Sequence, residues 1–319
     1  MVPTTYAQSD KQIFQFLRTL RRQGQPAALV TVTDIERTGP RPRGSHMAVS
    51  ITGDRVGYVT SGCLEQAVAG DAVTAMKDNA DRIVRYGENS QYLDFRLPCG
   101  GGMAFHIHVD PDLALLDRCL TAMERRQPFG LAFEPQGGKV EFLDDSKVAT
   151  GWVEDKFLRR YAPALRFILV GSGAELEMMT RLASAAGYEV LAYSSDESIL
   201  ALCQAHDAQV FQLTSVQHIP PLPNDQWTAF IFLFHEHELE YPLIKAALSG
   251  PAFYIGALGS KRTQATRLDN LRHAGVDEAT LARIGGPIGL IPSARDPAIL
   301  AISVLAEVVD RYRQLELKI

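Results

Sequence analysis

Two cysteines in this chain of 319 residues occupy glycine-flanked turns where a thiol could do chemistry. Cys99 stands in the stretch 98–102 (PCGGG), whose glycines leave backbone N–H groups open to an anion. A thiol in such a nest has its thiolate stabilised, and a thiolate is a soft ligand for a transition metal. We therefore expect Cys99, Gly100 and Gly101 to bind a ligand, with Cys99 toward a metal. Cys63, in a second turn, is a weaker candidate of the same kind.

A proline-stiffened loop, residues 37–45 (RTGPRPRGS), carries two further candidates. Arg41 and Arg43 each present a planar guanidinium, which can bind a phosphate or a carboxylate through two parallel hydrogen bonds. The alternative is an ordinary solvated loop. We expect both arginines to contact an anionic ligand.

Gly171, Ser172 and Gly173 follow an apolar stretch and precede a helical one, which is where a Rossmann fold binds a phosphate. The third position of the glycine pattern is Leu176, and the acid expected about 20 residues later is replaced by Ser194. The pattern therefore predicts a Rossmann-like scaffold with Gly171 and Gly173 at a ligand. It disfavours NAD(P) as the cofactor.

A second turn, residues 256–262 (GALGSKR), also lies between a strand-like and a helical stretch. Basic residues at a helix N-terminus oppose its dipole, so their presence there favours an anionic ligand over a merely solvated first turn. His235 follows another apolar stretch and is expected where open α/β sheets bind ligands, although a plain helix start is the alternative. The candidates in this part of the chain are Gly259, Ser260, Arg262 and His235.

The composition of the chain excludes several broad classes of function. Lys and Arg number 32 and Asp and Glu 37, giving a net charge of −5 that argues against general nucleic-acid binding. No apolar run reaches the roughly 18–20 residues of a membrane span, and the first residues lack the pattern of a signal peptide. The four cysteines form no CxxC pair, and Cys119 and Cys203 are expected in the core. We expect a cytoplasmic protein with reduced thiols and no membrane contact.

The elements that must position these residues fall into two halves of different design. In the first half, strand-like and helical stretches alternate irregularly, with hairpin-like turns between them. The segment 154–163 is charged and ends in proline, so we interpret it as the domain boundary. The second half alternates strand and helix regularly, which is typical of a doubly wound parallel sheet. We predict a mixed α/β domain over residues 1–155, followed by a Rossmann-like domain over residues 165–319.

Taken in order, these segments resemble the XdhC/CoxI family of molybdoenzyme accessory proteins. The resemblance in the first half is carried by residues 40–44 (PRPRG), 61–65 (SGCLE) and 99–101 (CGG). In the second half it is carried by residues 170–173, His235 with His237, residues 254–262 and residues 282–294. The departures from the family pattern are Pro98 for a glycine, Ser194 for an aspartate and Ala174 for a histidine.

The resemblance implies an XdhC/CoxI-type N-terminal domain, a Rossmann-like C-terminal domain and a part in the maturation of molybdenum enzymes. Such proteins bind molybdenum cofactor as cargo and deliver it to xanthine-dehydrogenase-like hydroxylases, so an accessory protein is expected rather than a catalyst. The resemblance also implies that Cys63 and Glu65 lie at the cofactor. The expected partners are a client hydroxylase, enzymes of cofactor biosynthesis or sulfuration, and a second copy of the chain in a homodimer.

Two other functions stay open from the residues alone. An NAD(P)-dependent oxidoreductase would depend on Gly171 and Gly173, but a ribose-binding acid and a clear acid–base pair are missing from the pattern. A protein that binds only a client enzyme and no small molecule would contain no cofactor in any purified preparation. Titrations with molybdenum cofactor, NAD(H) and NADP(H) discriminate among the three functions.

Overall fold

The structure, a computed structural model, describes residues 9–37, 39–87, 90, 101–136, 138–144, 148–215, 218–234 and 240–318. The chain divides into two compact units, Met1–Pro163 and Ala164–Ile319. The first unit is built on antiparallel sheets and the second on a parallel sheet.

Two antiparallel sheets and their helices make up the first unit. The strands are β1 Ala27–Ile35, β2 His46–Ser50, β3 Arg55–Gly57, β4 Arg82–Gly87, β5 Gly102–Val109, β6 Phe129–Glu134, β7 Lys139–Leu143, β8 Gly151–Val153 and β9 Lys156–Tyr161. The helices are α1 Asp10–Arg22, α2 Glu65–Asp78 and α3 Leu113–Glu124. The strand orders are β3-β2-β1-β5-β4 in the larger sheet and β7-β6-β9-β8 in the smaller one.

The larger sheet is covered on both faces, which explains why its central strand β1 is apolar over most of its length. Alternate residues of a strand point to opposite faces. Val30 packs in a core with residues of α2, while Leu29 packs in a second core with residues of α1, α3 and the smaller sheet. Both side chains are at most 2% exposed.

The segment interpreted from its charge as the domain boundary, residues 154–163, contains strand β9 of the first unit. Phe157 and Tyr161 of this strand are buried, and the charged Lys156, Arg159 and Arg160 are partly exposed. Lys156 and Arg160 lie on the face opposite to these aromatic side chains, whereas the guanidinium of Arg159 lies over the Tyr161 ring, 4.8 Å from its centroid. Charged residues are thus part of a strand here, so composition alone is a poor sign of a linker.

The second unit is a six-stranded parallel sheet with helices on both faces. The strands are β10 Arg166–Gly171, β11 Glu189–Ser194, β12 Gln209–Gln212, β13 Thr228–Leu233, β14 Tyr254–Ala257 and β15 Ile284–Gly285. The helices are α4 Gly173–Ala185, α5 Glu197–Gln204, α6 Glu240–Leu248, α7 Lys261–His273, α8 Glu278–Leu281 and α9 Pro297–Lys318. The strand order is β12-β11-β10-β13-β14-β15.

This strand order reverses between β10 and β13, as in Rossmann folds, and it confirms the predicted doubly wound sheet. All six residues of β13 are buried, because helices cover both faces of the sheet. Across the described ranges, no helix combines the length and the apolar character needed to cross a lipid bilayer.

A row of buried polar side chains joins the larger sheet of the first unit to strand β9 of the smaller one. The Oγ1 of Thr31 on β1 lies 3.0 Å from Nδ1 of His46 on β2, and the Tyr161 hydroxyl lies 2.5 Å from Nε2 of the same ring. Burial lowers the pKa of His46 to about 4, although the Asp10 carboxylate acts in the opposite direction. Because burial also raises the pKa of Tyr161, a neutral hydroxyl and a neutral imidazole share this hydrogen bond.

We expect acid to destabilise the first unit between pH 6.5 and about 4, because unfolded His46 binds a proton in this range and folded His46 does not. This pKa difference corresponds to a loss of about 3 kcal/mol as the pH falls. His46→Gln should flatten this part of the unfolding free-energy profile, measured by urea denaturation at several pH values.

The matched control is His218→Gln, which changes an exposed histidine and should leave the profile as in the natural chain. If the free energy of unfolding falls as steeply with acid in His46→Gln as in the natural chain, His46 is not the source of the acid sensitivity. His106, whose pKa burial also lowers, adds a smaller loss of the same sign that remains in this variant.

Candidate functional site

The antiparallel register of the first unit brings three of the predicted segments to one end of the larger sheet. β1 ends and β2 begins there, as the pairing of Thr31 with His46 requires, so the arginine loop 37–45 lies at this end. β3 ends there and leads into residues 58–64, the turn of Cys63. β5 also begins there, directly after Gly101. We call these segments, residues 37–45, 58–64 and 101, the loop end of the sheet.

The backbone of the arginine loop is anchored at Gly44. Its N–H donates to the Val32 carbonyl at 2.7 Å, and its own carbonyl accepts from Nε of Arg159 at 2.9 Å. Gly44 has a φ of +81°, and a Cβ at this position would collide with the Arg159 side chain. Arg41 and Arg43 are exposed, so a fixed backbone presents two solvent-facing guanidiniums.

Glu65 holds the turn that carries Cys63. Its Oε1 accepts from the Thr60 backbone N–H at 2.7 Å, and its Oε2 accepts from the Thr60 hydroxyl at 2.5 Å. Glu65 and Thr60 are at most 2% exposed, whereas Cys63 is exposed. Both oxygens of the Glu65 carboxylate thus close residues 60–65 into a compact turn with Cys63 on its surface.

Three of the residues predicted at the site, Cys99, Gly100 and His235, lie outside the described residues, so their predicted roles stay predictions. Within the parts that the structure describes, no three His, Cys, Asp or Glu side chains are grouped to bind a metal ion. Cys119 and Cys203 are buried as expected, and burial raises the pKa of the Cys119 thiol to about 12. These two thiols are therefore protonated and unreactive at neutral pH.

In the second unit, the first glycine turn lies where the strand order reverses. Gly171 pairs with Leu233 across β10 and β13, and a Cβ on Gly171 would lie 2.6 Å from the Leu233 carbonyl oxygen. Gly173 begins α4, and Oε2 of Glu175 lies 3.2 Å from where a Gly173 Cβ would stand. The carboxylate of Glu175 thus stands in the first turn of α4, where its negative charge opposes a phosphate.

The acid nearest to the end of β11 serves as a helix cap. Asp196 accepts from the backbone N–H of Ser198 at 2.9 Å and of Ile199 at 3.4 Å, which caps α5. Hydrogen bonds from Ser198 and Ile199 lower the pKa of Asp196. Its neighbour Ser194 is fully buried and accepts from the Asp196 N–H at 3.1 Å. In dinucleotide-binding folds, an acidic residue at this strand end binds the ribose. Here the strand ends in Ser194, and Asp196 caps a helix.

The second glycine turn, before α7, has the opposite charge pattern. Ser260 caps this helix by accepting from the Thr263 N–H at 3.1 Å. Lys261 and Arg262 are exposed in the first turn, which contains no acidic residue. Gly259 has a φ of +145°, and a Cβ there would lie 2.8 Å from Cγ2 of Thr263. An anion is therefore attracted to α7 by the helix N–H groups and by two cations.

A buried ion pair holds the backbone of this turn in place. Nε and Nη2 of Arg267 each lie 3.0 Å from an oxygen of Glu240, and both side chains are at most 1% exposed. Nη2 of Arg267 also donates to the Leu258 carbonyl at 2.7 Å, directly before Gly259. Nη1 donates to Gln264, whose amide donates in turn to the Ile284 carbonyl. The group ties α6, α7 and β15 to the turn.

Reasoning from the sequence missed this group, because Glu240 and Arg267 are 27 residues apart. Arg267 stands in a helix rich in polar residues, where a charged side chain is usually solvated. A pattern within one chain does not reveal which charges on separate helices will meet in the core.

Comparison with known proteins covers both units. The profile described as the XdhC and CoxI family matches residues 20–87, and that of the XdhC Rossmann domain matches residues 167–308. Over 302 residues the chain is 35% identical to the molybdenum cofactor insertion chaperone PaoD of Escherichia coli strain K12. The match covers 93% of this chain and 87% of PaoD. This chain belongs to the XdhC and CoxI family.

Further relatives of this XdhC/CoxI chain extend along its whole length. A probable subunit of xanthine dehydrogenase from Bacillus subtilis strain 168 is 23% identical over 334 residues, covering 94% of this chain and 97% of that protein. A crystal structure described as a xanthine dehydrogenase from Bacillus halodurans has a TM-score of 0.76 at 20% identity. It covers 94% of this chain and 96% of that one, and it shows that the fold is shared.

Removing Arg267 is expected to destabilise the second unit strongly, because the buried Glu240 carboxyl group would lose its hydrogen-bonding partner. The expected loss for Arg267→Met is about 3–5 kcal/mol. Urea unfolding followed by the fluorescence of buried Trp227, in a Trp152→Phe background, measures it.

The control is Arg272→Met on the same helix, which removes an exposed guanidinium paired with Glu278 and Asp269. Exposed pairs contribute little, so its unfolding midpoint should barely move. Equal shifts of the midpoint in the two variants would show that the buried pair does not hold this unit together.

Proposed function

We propose that this protein binds molybdenum cofactor and delivers it to a molybdenum hydroxylase of the xanthine dehydrogenase type. The observation that carries the proposal is the 35% identity to PaoD, a molybdenum cofactor insertion chaperone, over 93% of the chain. The relative from Bacillus subtilis, a probable subunit of xanthine dehydrogenase, supports the same class of client.

The chemistry of the loop end supports this cargo. Molybdenum cofactor is an anionic phosphate ester that carries a metal bound to sulfur. Arg41 and Arg43 provide exposed cations on a fixed backbone, and Cys63 provides an exposed thiol on a clamped turn. In this proposal Cys99, with Gly100 and Gly101, binds the metal end of the cargo, since a thiolate is a soft ligand.

The second unit supports an anionic group at α7 rather than a nicotinamide dinucleotide at α4. The first turn of α7 carries Lys261 and Arg262, whereas α4 carries Glu175. Asp196 is engaged as a helix cap, so the ribose contact of NAD lacks its acid. We propose that Gly259, Ser260 and Arg262 bind a phosphate and that NAD(P) is not the ligand.

A carrier needs contacts that hold its cargo and can later release it. Guanidinium–phosphate and backbone N–H contacts provide this, because each is individually modest and is formed without a covalent bond. The backbone at Gly44 and the turn 60–65 are held by hydrogen bonds before the cargo arrives, which lowers the entropy cost of binding. We propose that the protein acts as a carrier and that the chemistry takes place in its partners.

The proposal also names partners and a compartment. The client hydroxylase receives the cofactor, and enzymes of cofactor biosynthesis or sulfuration supply it. We propose further that two copies form a homodimer and that the protein works in the cytoplasm, where its free thiols stay reduced.

The proposal is tested by titrating the purified full chain with isolated molybdenum cofactor, NAD(H) and NADP(H). We expect binding of molybdenum cofactor at micromolar concentration or below and no saturable binding of either dinucleotide. Saturable binding of a dinucleotide alone would favour an oxidoreductase over a carrier. Binding of none of the three ligands would favour a client-binding protein without a small-molecule ligand.

Replacing both loop arginines, Arg41→Ser with Arg43→Ser, should weaken cofactor binding by about tenfold to a hundredfold, since a charged hydrogen bond contributes about 1.5–3 kcal/mol. The affinity should also fall less steeply with added salt. Lys77→Ser is the control, because Lys77 is exposed in the last turn of α2, at the opposite end of the sheet. Unchanged affinity in the double variant would remove the arginine loop from the site.

A further inference from the structure

Trp152 on β8 is a partly exposed aromatic residue that is held in one orientation. Its indole N–H lies 3.1 and 3.2 Å from the two oxygens of Asp34. Its ring meets that of Phe157 edge to face, with centroids 5.5 Å apart. Nevertheless 36% of Trp152 remains exposed. An indole fixed on two sides offers its open surface without further loss of conformational freedom.

The hairpin of β8 and β9, which carries Trp152, contacts both ends of the arginine loop. Asp34, which holds the indole, stands near the end of β1, just before the loop begins. At the other end of the loop, Cγ2 of Thr150 lies 3.0 Å from the position that a Cβ on Gly44 would take. Arg159, from the partner strand β9, donates to the Gly44 carbonyl. Trp152 is therefore placed beside the segment that presents Arg41 and Arg43.

We propose that Trp152 forms the stacking surface for the planar heteroaromatic ring of the ligand whose anionic group Arg41 and Arg43 bind. An indole face stacks on flat rings, and stacking on aromatic side chains is a general means of holding such rings. This inference rests on the proposed function, in which the ring is the pterin of molybdenum cofactor. A nucleobase has the same shape and chemistry and is the other source that the test must distinguish.

The test compares Trp152→Leu, which keeps an apolar side chain, with Trp152→Phe, which keeps an aromatic one. Loss of one stacking contact should weaken binding of isolated molybdenum cofactor by about tenfold in Trp152→Leu, whereas Trp152→Phe should stay within about threefold of the natural chain. Equilibrium dialysis measures the affinity. Titrations with CMP and GMP under the same conditions show whether the surface takes a nucleobase instead.

Intrinsic fluorescence gives a second readout, because the chain has only two tryptophans, Trp152 and the buried Trp227. In Trp227→Phe the remaining indole should be strongly quenched by the cofactor. In Trp152→Phe, which leaves only Trp227, the quenching should be much weaker.

The outcomes separate this inference from the proposed function. If the natural chain binds the cofactor and Trp152→Leu binds it equally well, the stacking role is wrong and the carrier function stands. If the natural chain binds CMP or GMP but not the cofactor, the surface holds a nucleobase and the proposed cargo is wrong. If it binds none of these probes, both proposals fail.

Discussion

The pairing of β1 with β2 on one side and with β5 on the other is the constraint on which the proposed site depends. Its register is fixed by two cores, since a slip of one residue would turn Leu29 and Val30 to the wrong faces. Because β1 ends where β2 and β5 begin, the arginine loop and Gly101 must lie at the same end. The chemistry-bearing residues are on loops, and this rigid sheet positions them.

In the second unit, charge decides between two similar turns. Both α4 and α7 begin with glycine turns at the carboxyl end of the parallel sheet, where such folds bind ligands. An acidic residue stands in the first turn of α4, and two basic residues stand in that of α7. The buried pair of Arg267 and Glu240 then holds the basic turn in place through the Leu258 carbonyl. The fold supplies two candidate anion sites, and the side chains favour one.

The sequence predicts well the features that depend on neighbouring residues. The strand–turn–helix around Gly171, the cap at Ser260 and the alternation of the second half all follow from local patterns. Features formed between distant segments could not be predicted. Trp152 contacts Asp34, which is 118 residues away, and strand β9 could not be recognised because it carries three charged residues. Thr60 donates to both carboxylate oxygens of Glu65, a pairing that the motif does not reveal, and the place of Glu65 at the ligand stays a prediction.

Hydrogen exchange measured with and without molybdenum cofactor shows whether the loop end of the first unit binds it. Bound cofactor should slow amide exchange in peptides covering residues 37–45 and 58–64. Peptides from the far end of the same sheet, such as the last turn of α2, should exchange at unchanged rates. If saturating cofactor protects neither of the two loops, the cofactor does not bind at the loop end.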